Sequence, residues 1–203
     1  MISLQATENI ERIFQQGLRS RLPQSSDDAC TIAAIQPDDN VEALATRAGG
    51  ALTRARSGRT GSIAHVSGRE ERVVLLTISS VHFRLMMLLT GEESVANHAY
   101  FVKESSDIPF WETLSELANL CCGAVNQALL RHFPDLGMST PYMLEAGCIA
   151  YLRDLSPSLL RSYAVSVGSA ELMATLCVCA HAPIDFVADA EGVEESHGVL
   201  EMF

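Results

Sequence analysis

Glu112, Glu116, Asn119 and Gly123 recur at intervals of four, three and four around the segment SELANLCCGAVNQ, residues 115–127. On a helix these spacings put all four positions on one stripe, so that their side chains can meet a single partner surface. A carboxylate binds a cationic group. A carboxamide three residues further on both donates and accepts hydrogen bonds without adding charge. Held on one rigid helix, the pair can grip a basic group with one arm and orient a water or a phosphoryl oxygen with the other. The glycine lets a backbone come close, and the expected backbone is that of another helix of the same fold. Opposite this stripe, Leu114, Leu117, Ala118, Cys121, Val125, Ala128 and Leu129 form the apolar side that must face a core.

Glu116-x2-Asn119-x3-Gly123, followed by Pro141 with twenty-one residues between it and Asn119, resembles the CheC/CheX family of chemotaxis phosphatases. In that family an acid-x2-Asn pair on a long helix precedes a proline in the next loop or strand, often with Asp or Ser four positions before the acid. Here that position holds Glu112, a mild departure for the CheX branch. The close resemblance spans about residues 108–145.

The resemblance implies a protein phosphatase that hydrolyses the aspartyl phosphate of a CheY-like response-regulator receiver. Asn119 would hydrogen-bond the attacking water and Glu116 would pair with the receiver's lysine. Pro141 would set the loop-to-strand path, and Glu112 either extends the acidic rim in support of the site or is ordinary solvated surface. No cofactor of its own is expected, since Mg²⁺ would be carried by the receiver. A homodimer formed by pairing of edge strands is implied, with one working site per chain. The alternative is a non-catalytic adaptor, like the flagellar switch components of the same fold family.

The elements that must position these residues follow from periodicity. Residues 3–21 place Leu4, Ile10, Phe14 and Leu18 at helical spacing before Pro23. ACTIAAIQ reads as a short strand, 41–57 as a helix, and 62–66, 72–79 and 83–89 as strands. Asp107 is a candidate cap for a long helix over 109–132, after which 142–152, 163–167 and 171–180 read as strands.

Helix plus three strands thus occurs twice, and the expected fold is α+β: an antiparallel six-stranded sheet with two long helices packed on one face, pseudo-symmetric. Residues 1–38 read as an N-terminal extension, 39–186 as the phosphatase domain and 187–203 as an acidic C-terminal tail. In a second reading the helix 3–21 is the first long helix of the fold and 41–57 an insertion. An echo of Glu116 and Gly123 at Glu42 and Gly49 rests on two identities in an alanine-rich helix.

Composition bounds the partners. The 203 residues carry a formal net charge of −11, with scattered rather than clustered positive residues, which argues against nucleic acid and anionic membranes. Hydrophobic residues make up 48%, enough for a packed core. The apolar run 73–91 is interrupted by His82 and Arg84 and suits two buried strands better than a membrane span. The six cysteines lack CxxC spacing, and no export signal opens the sequence, so a cytoplasmic protein is expected. Cys177, Cys179 and His181 could share one face of a strand but would give a metal only three ligands.

Overall fold

The computed structural model describes residues 1–35, 72–102 and 108–188. The first element, α1 (Leu4–Arg21), starts where the Ser3 side chain accepts a hydrogen bond from the Ala6 N–H, capping a free donor of the first turn. Ala6, Ile10, Ile13, Phe14, Gly17 and Leu18 form its buried stripe, whereas Leu4 is exposed at the start of the helix. The strands β1 (Cys30–Ile35), β2 (Arg72–Ser79) and β3 (Phe83–Thr90) follow, then a short helix α2 (Val95–Phe101) and the long helix α3 (Phe110–Leu130). Beyond α3 come β4 (Gly137–Met138), β5 (Tyr142–Glu145), a 3₁₀ segment (Ala146–Leu155), β6 (Leu159–Val167) and β7 (Ala170–Ala180).

All strand pairings in the sheet are antiparallel, in the order β1-β6-β7-β3-β2-β4, with β5 also on β2. The seven described strands fill six lanes, because β4 and β5 lie end to end along the same side of β2. Between them the register shifts by one: Ile78 faces Met138, but Leu75 faces Tyr142, so Thr140 and Pro141 together stand against Leu76. This bulge suits a proline, which has no N–H to give to a ladder. Ser139 repairs the pairing around it. Its N–H donates to the Thr77 carbonyl (2.9 Å), and its Oγ accepts from the Thr77 N–H (3.0 Å).

The lane order is symmetric. Exchanging α1-β1-β2-β3 for α3-β4/β5-β6-β7 reverses the sheet onto itself, so each half is one long helix followed by three lanes. This α+β architecture is the one the residue pattern predicts.

The assignment of the N-terminal residues needs correction: 1–38 is not an extension as far as it is described. Helix α1 packs beside α3, β1 pairs with β6, and Ile10, Phe14 and Leu18 join the main core. Helix 3–21 is therefore the long helix of the first half, and β1, paired with β6, is the first of the strands that follow it. The readings over 41–57 and 62–66, the Glu42 and Gly49 echo, Asp107 and most of the tail 187–203 lie outside the described residues.

Both long helices lie on one face, over Val74, Leu76, Leu85, Met87, Leu176 and Val178. The strand expected over 142–152 ends at Glu145, and the 3₁₀ segment crosses the other face instead. Its buried residues Ala146, Ile149 and Leu152 recur every third position, the period of a 3₁₀ helix and not the period two of a strand. Ile149 and Leu152 pack there on Val73, Met86, Leu88 and Cys177.

Candidate functional site

Helix α3 is held on two sides. Phe110, Trp111, Leu114, Leu117, Ala118, Cys121, Cys122, Val125 and Leu129 are buried against the sheet and α1, which fixes the rotation of the helix about its axis. The predicted apolar stripe is therefore the core side, with Ala128 half-buried at its margin. Pro109 occupies the N-cap position without a side-chain cap.

The same rotation turns the polar stripe outward. Glu112 and Glu116 are exposed, and Asn119 and Gly123 are half-buried. One turn of helix separates Glu116 from Asn119, an axial rise of about 4.5 Å, so the two side chains are neighbours on the surface. Neither forms a hydrogen bond or ion pair among the described residues. Glu112 lies in the first turn, where a carboxylate complements the positive end of the helix dipole, a structural use separate from the pair below it. Pro141 is on the sheet, at the bulge between β4 and β5, and not on this helical stripe.

Gly123 departs from the expectation of helix packing. Among the described residues, a Cβ built on it meets nothing within 4 Å. The glycine that does admit a neighbouring helix is Gly17 on α1, where a Cβ would stand 2.6 Å from Val125 Cγ2 and 3.1 Å from the Cys121 carbonyl oxygen. Setting Gly17 against Gly123 puts Ile10 and Ile13 where α3 has Glu116 and Asn119. These are 1% and 4% exposed, so the first-half helix presents apolar core residues at those positions.

Two residues of α3 escaped the reading of spacings. Leu120, directly after Asn119, is 51% exposed on an otherwise polar side. Asn126, seven residues beyond Asn119 and nearly in line with it, has its Oδ1 enclosed without a hydrogen-bond partner among the described residues. A search for outward-facing apolar residues on the wheel would have found the first.

The cysteines pack. Burial pushes the thiols of Cys121, Cys122 and Cys177 up to about 12, with Cys179 adding to the effect on Cys177. His181 lies beyond the end of β7, and among the described residues no group of three or more His, Cys, Asp or Glu could hold a metal ion. No described helix is long and apolar enough to cross a membrane.

The chain is similar to the chemotaxis protein CheX from Vibrio vulnificus, at 13% identity over 84% of this chain and 99% of that one, with a TM-score of 0.49. It is also similar to a CheC-like superfamily protein from Shewanella sp. PV-4 (12% identity, 84% and 97% covered, TM-score 0.47). A third is CheX in a complex with CheY, BeF₃ and Mg²⁺ from Borrelia burgdorferi (10% identity, 85% and 96% covered, TM-score 0.44). No family model and no curated relative matches the sequence.

Proposed function

We propose that this chain hydrolyses the aspartyl phosphate of a CheY-like receiver domain, as the motif's resemblance to the CheC/CheX phosphatases implies. The observation that supports this reading is the outward-facing pair on α3: Glu116 exposed and Asn119 half-buried beside it, neither engaged by the described residues of the chain itself. Hydrolysis of a phosphoryl group depends chiefly on placing a water in line with the bond to be broken. Asn119 does this with its carboxamide, accepting from the water while adding no negative charge beside the phosphoryl oxygens. Glu116 pairs with the receiver's lysine and fixes the register of docking, a contact that strengthens when desolvated in the complex. The receiver carries the Mg²⁺.

The chain acts as a cytoplasmic homodimer in this reading. The β4/β5 lane is the surface for self-association, because all four residues of β5 are exposed at the sheet edge, Tyr142, Met143 and Leu144 among them.

The test is to charge a CheY-like receiver with acetyl phosphate, add the purified protein and follow phosphate release. Wild type accelerates release, Asn119→Ala binds without accelerating it, and Glu116→Ala binds more weakly. Binding by wild type with no acceleration would overturn the phosphatase reading and make the protein an adaptor.

A further inference from the structure

Glycine weakens a helix interior because it loses more chain freedom on folding than any other residue. Gly17 has a visible reason to be glycine, since α3 lies directly against it. Gly123 has none within the described residues: the space its side chain would occupy is open. Residues three and four positions away surround any helical position, so Gly123 is ringed by Asn119, Leu120, Asn126 and Gln127. The missing side chain leaves open surface one turn of helix from the carboxamide. Leu120, three residues before the glycine, is a large apolar side chain half in solvent. Solvation alone calls for neither a glycine nor a leucine at these places.

We propose that this open surface is the seat of the docked receiver, with Gly123 admitting a close-packed receiver segment and Leu120 making its apolar contact. Seating there sets the affinity with which the receiver is held against Asn119 and Glu116. This inference rests on the receiver reading above. Glu112 and Glu116, on the N-terminal side of this surface, supply the charge complement to a pocket that contains a lysine. Gly123 and Leu120 are positioning residues; neither touches the reacting atoms.

The experiment compares wild type, Gly123→Ala, Gly123→Gln, Leu120→Ala and Asn119→Ala. Each is measured for thermal melting, for affinity toward a beryllofluoride-loaded CheY-like receiver, and for KM and kcat on the same receiver phosphorylated. Gly123→Ala melts no lower than wild type, yet its Kd and KM rise roughly tenfold, the effect of an extra methyl in a tight contact. Gly123→Gln raises both further, and Leu120→Ala raises both by roughly fivefold. For all three, kcat at saturating receiver holds, whereas Asn119→Ala loses kcat. Wild-type KM in both Gly123 variants, in a protein whose wild type is active, overturns this inference alone. A wild type that neither binds nor accelerates overturns the receiver reading and this inference together.

Discussion

Asn97 and Glu171 are joined by two reciprocal hydrogen bonds: the Asn97 Nδ2 donates to the Glu171 carbonyl (2.9 Å), and the Asn97 Oδ1 accepts from the Glu171 N–H (2.8 Å). A third bond runs from Nδ2 to the Glu92 carbonyl (2.7 Å), and the residue is buried. A side chain of α2 thereby ties the link between the two halves to the start of β7. Asn97→Ala would leave buried backbone groups without partners, and we expect it to cost about 3 kcal/mol of unfolding free energy. Urea denaturation checks this. A loss below about 1 kcal/mol would mean that water replaces the amide.

The two helix glycines should respond oppositely to one methyl. Gly17→Ala forces Val125 and the Cys121 carbonyl to move and should destabilise by about 1–3 kcal/mol. Gly123→Ala meets open space and should stabilise by about 0.5–1 kcal/mol. Chemical denaturation of the two variants side by side decides it.

Asn119→Ala removes a half-buried side chain that makes no hydrogen bond within the described chain, so stability should change by no more than about 0.5 kcal/mol. Phosphate release from the receiver should nevertheless slow about a hundredfold at saturation, and Asn119→Asp should be no better, because its charge repels the phosphoryl oxygens. Single-turnover release measured beside a denaturation curve separates the two effects.

Glu116→Gln keeps the shape of an exposed side chain and removes its charge. Receiver affinity should fall roughly fivefold to tenfold at low salt, and the gap between variant and wild type should narrow as ionic strength rises. Titrations at two salt concentrations test this; a gap indifferent to salt would exclude a charge pair.

The thiols predict a pH dependence with a definite sign. In the unfolded chain a cysteine titrates near about 8.5, whereas burial holds Cys121, Cys122 and Cys177 up to about 12. Each folded pKa lies above its unfolded value, so the contribution is present in full below about pH 8.5 and is lost as pH rises toward about 12. Stability should decline over that range by about 1 kcal/mol per pH unit per thiol. Urea midpoints measured from neutral to alkaline pH check the slope. Near neutral pH a thiol reagent should reach the half-buried Cys30, Cys148 and Cys179 before the other three.

Strong periodicity made much of this fold legible. The runs that became β2, β3, β7 and α3 each carry one pattern along most of their length, because each buries a continuous face. Short elements misled. Residues 142–152 mix apolar and small residues in a way that suits a strand, yet Ala146, Ile149 and Leu152 obey a period of three that becomes apparent only once a sheet lies beneath them. Periodicity predicts no element over 95–101, where one of the two buried residues of α2 is an asparagine. The place of α1 in the core depends on pairing between segments far apart in the chain, which local pattern cannot express. At the candidate site the outward direction of Glu116 and Asn119 followed from the apolar stripe opposite them. The open space at Gly123 did not, since a glycine's surroundings are set by what packs against it.

Interleaving of the lanes has a consequence for how the molecule is made. Among the described residues strand β1 has β6 as its one neighbour in the sheet, and α1 lies against α3, so both elements leave the ribosome well before their partners are synthesised. Until then Ile10, Phe14 and Leu18 lack the α3 and sheet residues with which they share a core in the folded chain. The platform that steadies Asn119 is completed only when the two halves of the nascent chain have joined.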